Sequence, residues 1–495
     1  MPKTASDFAA SGYTEANSLP EPVMVFSETE LQIFQQARLA RDARFDGRFF
    51  VAVTSTGIFC RNICPAPAPK EQHVRYYPSA VAALAAGFRP CLRCRPDSAP
   101  GSAAWRGTNS TLTRALRLID EGALQQGAMP ALAARLGVSE RYLRQLFNRQ
   151  LGLSPKRYAL LQQLLLAKQL LQSTALPVTD VALASGFQSI RSFNAQCKQI
   201  LKLSPGEIRK RELPATSGIS LFLAYRPPFA WQQLRQFLQA RLLAGVEWAG
   251  NDYYGRTFTL RQAQGHFTLY HQPDLHRFRL QLELDHWPVL PAVLQQIRRL
   301  FDLDVDINQV EQHLAPQLAR LPGYCQGLRL PGLWSPFEAG VRAILGQQVS
   351  VQAARQLLNT LVQQLGEPCS TAATLVEAPR FFPTAQAIAG SELGFLKMPQ
   401  ARRDTLRRFS EHILHDTEPD NIDRWQQLKG IGPWTCQYAR MRGLGDPDIW
   451  LAGDAGIKNA LQQTELAFTA ESGRPWRSYL TLQLWQSLAK PPLAE

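Results

Sequence analysis

Leu428-Lys429-Gly430-Ile431-Gly432-Pro433-Trp434-Thr435 places two glycines one residue apart, directly before a proline. Proline at a first helical position, with glycine just ahead of it, is a turn-into-helix signal. The stretch reads as a helix–hairpin–helix turn. Gly430 and Gly432 permit close approach of the backbone, and the N–H groups around them would point at an anion such as a phosphate. A lone Gly-x-Gly is a weak signal. Downstream, Leu451-Ala452-Gly453-Asp454-Ala455-Gly456-Ile457-Lys458 adds a carboxylate, Asp454. Taken alone, Asp454 would be a helix cap and Trp434 a core residue.

Working outward, the chain after about residue 300 is mostly helical. Between 269 and 284 the alternation of Phe278, Leu280, Leu282 and Leu284 predicts antiparallel strands. The C-terminal half is therefore expected to be α+β, with a β-rich subdomain at 219–305 and a helical part at 306–495. The whole chain has 495 residues, a net charge of +14 and 45% hydrophobic residues. That is enough for several cores, and the basic balance suits a nucleic-acid partner. Met1-Pro2-Lys3-Thr4 leads into no apolar signal core, and no apolar run is long enough to span a membrane. Eight cysteines lack disulfide-scaffold density. Thiolate ligands need a reducing compartment, so a cytoplasmic protein is expected.

Four cysteines stand apart. Cys60 and Cys64 form C-x3-C, and Cys91 and Cys94 form C-x2-C, a spacing that closes a tetrahedral thiolate cage around one Zn²⁺. Arg61 and Arg89 lie beside the pairs and suit a site that approaches a phosphate. This zinc module is expected at 26–97, after a loose arm at 1–25. Phe49-Phe50-Val51-Ala52-Val53 should be a strand and 80–86 a short helix. Asp97-Ser98-Ala99-Pro100-Gly101-Ser102 reads as a linker. One reading of the metal is a structural clip, contributing roughly 10–16 kcal/mol of apparent binding energy. The other makes one thiolate reactive, since a zinc-bound cysteine stays deprotonated and nucleophilic.

Residues 108–213 read as helical and contain an internal repeat. Leu132-Ala133-Ala134-Arg135-Leu136-Gly137-Val138-Ser139 aligns with Val181-Ala182-Leu183-Ala184-Ser185-Gly186-Phe187-Gln188, and each copy ends in Leu-Ser-Pro, at 153–155 and 203–205. Each is a helix, a glycine turn and a second helix. The candidate recognition helices, 140–149 and 190–199, would present Arg141, Arg144, Gln145, Arg191, Asn194 and Gln196 to base edges in successive major-groove turns. Leu143, Leu146, Phe147 and Phe193 should be core, and Cys197 a buried thiol. The alternative is a helix bundle whose charges are merely solvated. Pro214-Ala215-Thr216-Ser217-Gly218 makes a second linker.

Three resemblances follow from these residues. The segments 54–61 and 82–91 around the cysteines resemble the N-terminal domain of the Ada methylation-response proteins. That resemblance implies that Cys60 takes a methyl group from a DNA methylphosphotriester while Cys64, Cys91 and Cys94 complete the zinc site. Methylation would change the formal charge from −2 to −1. One charge about 6 Å from a phosphate is worth roughly 3 kcal/mol at an effective dielectric near 20. The repeated helix–turn–helix resembles the AraC-type regulators. The hairpin with Asp454, together with Arg226-Pro227-Pro228-Phe229, the runs 327–332 and 337–347, and Pro475-Trp476-Arg477-Ser478-Tyr479, resembles the AlkA-type 3-methyladenine DNA glycosylases. This last resemblance implies Asp454 as catalytic carboxylate and Trp434, Tyr438, Trp485 and Phe237 as walls for a flipped base. It also implies carbonyls of Gln426, Leu428 and Gly430 for a monovalent cation. Lyase relatives carry a lysine where Trp434 stands, so a monofunctional enzyme is expected. Two departures are Gln348, in place of a leucine wedge, and Ala455, in place of a tyrosine. Ada proteins often carry a further transferase centre with Pro-Cys-His-Arg, which this sequence lacks; Cys325, Cys369 and Cys436 look structural.

The expected architecture is multidomain: a small α+β zinc domain, an all-α double helix–turn–helix domain, and an α+β glycosylase with an antiparallel sheet subdomain and a helical helix–hairpin–helix core. The expected partners are damaged and promoter double-stranded DNA and RNA polymerase, with the chain monomeric and off the membrane. The rival reading is a regulator whose glycosylase half only binds DNA.

Overall fold

The computed structural model describes residues 26–99, 110–126, 128–209, 219–372, 374–464, 468–469 and 471–488. The arm expected at 1–25 and the linker expected at 214–218 lie outside the described residues. Among the described residues no helix is long and apolar enough to cross a membrane.

The zinc module folds around a four-stranded sheet in the order Val74–Tyr77, Phe50–Val53, Ile58–Arg61, Arg89–Pro90. The first three strands pair antiparallel and the last runs parallel to Ile58–Arg61. Helix Ala80–Ala85 follows, its first turn capped by the Ser79 hydroxyl, which accepts from the Ala82 N–H. The linker expected from Asp97 starts differently. Pro96–Ser98 forms a short 3-10 turn, and the Asp97 carboxylate is buried against the ammonium of Lys168, both side chains 1% exposed. Composition marks this segment as loop. A counter-charge 71 positions away in sequence makes it a docking point instead.

That counter-charge sits on Pro155–Ser173, the long helix joining the two helix–turn–helix units. The repeated Leu-Ser-Pro tripeptide now has a cause. Ser154 and Ser204 accept the N–H groups of Arg157 and Glu207, while Pro155 and Pro205 open the helices. Gly137 and Gly186 turn at φ +68° and +88°, a region that disfavours side chains. Leu143, Phe147 and Phe193 are fully buried and Leu146 nearly so, and Cys197 is buried as expected.

Beyond residue 218 a five-stranded antiparallel sheet runs Ile219–Ala224, Arg277–Leu284, Ala263–Gln272, Tyr253–Leu260, Glu247–Ala249. Phe278, Leu280, Leu282 and Leu284 face its core, as the period of two requires. The sheet is locked to the helical part by a buried charge quartet. Arg256 pairs with Glu338 at 2.8 Å and Arg342 with Glu247 at 2.9 Å, all four side chains at most 7% exposed. Burial alone would raise Glu338, but Arg256 and Arg342 outweigh it and hold its carboxyl below the usual range. This anchors helix Pro336–Gly346, whose C-terminal end leads to Gln348. Cys369 and Cys436 are buried and Cys325 is partly exposed.

Candidate functional site

Strand Ile58–Arg61 alternates faces, burying Phe59 and Arg61 and leaving Cys60 partly exposed on the other side. The turn after this strand carries Cys64, and the parallel edge strand Arg89–Pro90 leads into Cys91 and Cys94, which brings the Sγ atoms of Cys60, Cys64, Cys91 and Cys94 within 4.8 Å of one another. Tetrahedral zinc with Zn–S near 2.3 Å needs S···S separations of about 3.8 Å, which this cluster can supply. Backbone N–H groups of Arg61 and Arg93 donate to the sulfurs of Cys94 and Cys91, each at 3.3 Å. A dication would let all four be thiolates at once. The donor set therefore fits zinc.

The expectation that Arg61 reaches DNA is corrected. Its guanidinium is buried, with Nε donating to Asp46 at 2.8 Å and Nη2 bonding the other carboxylate oxygen. Strand alternation puts it on the inner face with Phe59. Arg89 remains partly exposed at the edge strand.

The two candidate recognition helices are Glu140–Leu151 and Ile190–Gln196, the second continuing into a wider turn at Cys197–Leu201. Arg141, Arg144, Gln145 and Arg191 are exposed, and Asn194 and Gln196 are half-buried. Arg144 pairs with Glu140 at 2.9 Å on the surface, a contact worth at most about 1 kcal/mol and easily exchanged for DNA.

In the C-terminal half, the hairpin is held by helix Gln400–His415. Gly430 has φ +94°, and a Cβ there would lie 2.1 Å from the Thr405 hydroxyl. A Cβ on Gly432 would meet nothing within 4 Å. Gln347 spans from the neighbouring loop, donating to the carbonyl of Gly430 at 3.1 Å and to the Thr435 hydroxyl at 3.2 Å. Beside it Gln348 is exposed with φ +57°, flanked by exposed Val349 and Val351. A non-glycine residue held in that region is strained, and such strain clusters at functional sites.

Asp454 stands just ahead of helix Ala455–Thr464 and does cap it, accepting the Ile457 N–H at 3.1 Å. The same carboxylate accepts two indole N–H groups, from Trp434 at 3.2 Å and from Trp485 at 2.9 Å. Trp434 stacks on Tyr438 with centroids 5.4 Å apart, and Phe237 faces Trp485 nearly parallel at 6.2 Å. The five residues expected at this site are thus brought together from segments more than 200 positions apart. Two cations were missed. Arg241 lies 3.7 Å over the Phe237 ring, and burial lowers it to about 10. Arg442 donates to the Tyr438 hydroxyl at 3.1 Å and sits 4.8 Å from the Phe237 centroid. Each is four positions after an aromatic wall, Arg241 just past the end of helix Trp231–Gln239 and Arg442 in the wider turn Arg440–Leu444, and that spacing is a signal the sequence carries. A separate cavity of about 420 Å³, lined by Phe50, Asp97, Asp120, Tyr158 and Phe222, shares no lining residue with this cleft.

A carboxylate between two tryptophans beside a glycine hairpin, a double helix–turn–helix and a four-thiol centre are the three candidate sites of the chain. Family models agree: the metal binding domain of Ada matches 34–97, a helix-turn-helix domain 132–211, and the AlkA N-terminal domain 220–335. The chain is 36% identical over 480 residues to the Mycobacterium tuberculosis "Probable bifunctional transcriptional activator/DNA repair enzyme AlkA", covering 91% of this chain and 95% of that protein. It is 35% identical to Escherichia coli DNA-3-methyladenine glycosylase 2, over 53% of this chain and 95% of that one. Escherichia coli Ada, a bifunctional transcriptional activator/DNA repair enzyme, matches 35% of this chain and 48% of its own length at 36% identity. The chain belongs to the family of bifunctional transcriptional activator/DNA repair enzymes of the AlkA type.

Proposed function

We propose that the chain excises alkylated bases of the 3-methyladenine type from duplex DNA and, through Cys60, accepts methyl groups from DNA methylphosphotriesters. The carrying observation is the Asp454 carboxylate, anchored by two indole N–H groups in an aromatic cleft next to the hairpin. The flipped base would enter the cleft walled by Trp434, Tyr438, Trp485 and Phe237, with Gln348 filling the vacated place in the stack. Breaking the C1′–N bond sends its electron pair to the base and leaves positive charge on the sugar. Asp454 stabilises that charge and takes the proton of the attacking water, giving a free base and an abasic site. A cationic alkylpurine leaves readily, so no strong general acid is needed. Trp434 in place of a lysine supports a monofunctional reaction without a Schiff base.

At the other centre, the Cys60 thiolate attacks the methyl carbon of a phosphotriester. An S–C bond forms, a C–O bond breaks, and the phosphodiester leaves as an anion. Zinc, when bound by Cys60, Cys64, Cys91 and Cys94, keeps the thiolates deprotonated. The partial exposure of Cys60 supports its role as acceptor, with Arg89 near the DNA backbone. The lowered negative charge after methylation would strengthen promoter binding through Arg141, Arg144, Arg191 and Asn194, with RNA polymerase as a further partner of a monomeric protein. Gly430 and Gly432 would receive a phosphate, and a monovalent cation would rest on the carbonyls of Gln426, Leu428 and Gly430.

The test is base release from alkylated duplex DNA by the wild type and Asp454→Asn. Release by the wild type alone supports the assignment. Equal release by both means another residue is the catalyst, and no release by either with DNA binding intact favours a regulator that only binds DNA.

A further inference from the structure

We propose that the zinc module braces the base cleft of the glycosylase, through Asp46 and Arg226, so that loading of the four-cysteine centre and rigidity of the cleft are coupled. The identity of the cleft rests on the function proposed above; the coupling is read from contacts between modules.

Asp46 is bound from two sides. Its carboxylate holds the guanidinium of Arg61, the residue after Cys60. Its carbonyl accepts from Nε of Arg226, in the glycosylase half, at 2.7 Å. Arg226 is itself fully buried and also donates to the Asp304 carbonyl at 3.0 Å. From there the path continues into the cleft. Arg329 bonds the carbonyls of Arg226 and Pro228, the latter at 2.8 Å. The Ala230 N–H donates to Gly327 at 2.9 Å, where any Cβ would press on the Pro228 backbone. Helix Trp231–Gln239 starts at this point and carries Phe237, the ring that faces Trp485.

A second contact makes undocking costly. The Asp306 side chain is fully buried, and neither carboxylate oxygen has a hydrogen-bond partner among the described residues. Its charge is met by Arg48 of the zinc module, with Nε 3.3 Å away. A buried carboxylate without its counter-ion is strongly unfavourable, so the glycosylase half is incomplete without the module that supplies Arg48. A small module of this kind depends on its metal for folding. Chelation would withdraw Asp46 and Arg48 together, take from Arg226 its Asp46 acceptor and from Asp306 its counter-ion, and loosen the segment leading to Phe237. Linkage then makes the effect reciprocal: occupancy of the base cleft would tighten metal retention.

Hydrogen–deuterium exchange on the full chain tests this without any catalytic readout. The metal is stripped with a chelator and a thiol reagent, and its release is measured directly. Exchange in peptides covering 225–239 and 302–308 should rise about tenfold or more as the metal leaves, while 400–415 stays unchanged. Arg48→Ala should raise exchange in the same peptides with the metal retained, and Arg48→Lys should restore protection. Opening of 50–61 on metal removal with no change at 225–239 would overturn the proposal. Failure of base release would overturn the reading of the cleft but leave this exchange result standing.

Discussion

Trp485 donates its indole N–H to one oxygen of Asp454 at 2.9 Å, while Trp434 donates to the other at 3.2 Å. The carboxylate is thereby fixed in orientation by the rings that wall the cleft, so in the proposed reaction the groups that would grip the base would also aim the charge at the sugar.

Trp485→Phe keeps an aromatic face, though a smaller one, toward Phe237 and removes the N–H. Hydrogen bonds to charged groups are worth about 1.5–3 kcal/mol. The single-turnover rate of base release should fall roughly 10–100-fold with little change in KM. An unchanged rate would show that Trp434 and the Ile457 N–H suffice to hold Asp454.

The two hairpin glycines should separate folding from DNA contact. Gly430→Ala drives a Cβ into Thr405 at a backbone angle that side chains rarely adopt, so local stability should drop by about 1–3 kcal/mol and DNA affinity with it. Gly432→Ala meets no neighbour in the protein and should melt like the wild type. Its DNA affinity, measured by fluorescence anisotropy, should still fall about tenfold if a phosphate approaches there. Wild-type affinity in both variants would place the DNA contact elsewhere.

Asp120 lies under Tyr158, which donates to it at 3.0 Å, and burial raises its carboxyl to about 7. A raised folded-state value means that the folded chain holds a proton that the unfolded chain has released. Stability is therefore full below about pH 4, falls as pH rises toward 7, and levels off above, a loss on the order of 2–4 kcal/mol. Asp120→Asn removes this dependence. Calorimetry of the helix–turn–helix transition should find the variant more stable than the wild type at pH 8 and no more stable at pH 4; parallel curves would mean that Asp120 is ionised in the folded chain.

Much of the site was legible because its chemistry is local. Cysteines at short spacings, paired glycines before a proline, and a repeated helix–glycine–helix each state their role within a few residues. The aromatic partners of Asp454 were reachable through resemblance, since Phe237 and Trp485 lie far from it in sequence. Arg61 and Asp97 misled for one physical reason. A charged residue near a site or in a loop-like run reads as solvent-facing unless its counter-ion is known, and those counter-ions, Asp46 and Lys168, lie 15 and 71 positions away.

By itself the sequence determined the kinds of module in this protein and named the candidate groups in each, because thiolate spacing, glycine turns and side-chain periodicity act over one or two turns of chain. Only the tertiary structure decided which charges are buried against which, that Arg241 and Arg442 back the aromatic cleft, and that Asp46 and Arg48 tie the zinc module to the glycosylase. Those outcomes depend on desolvating paired charges across long sequence separations, and the free energy of such a pair exists only once folding has brought both members out of water.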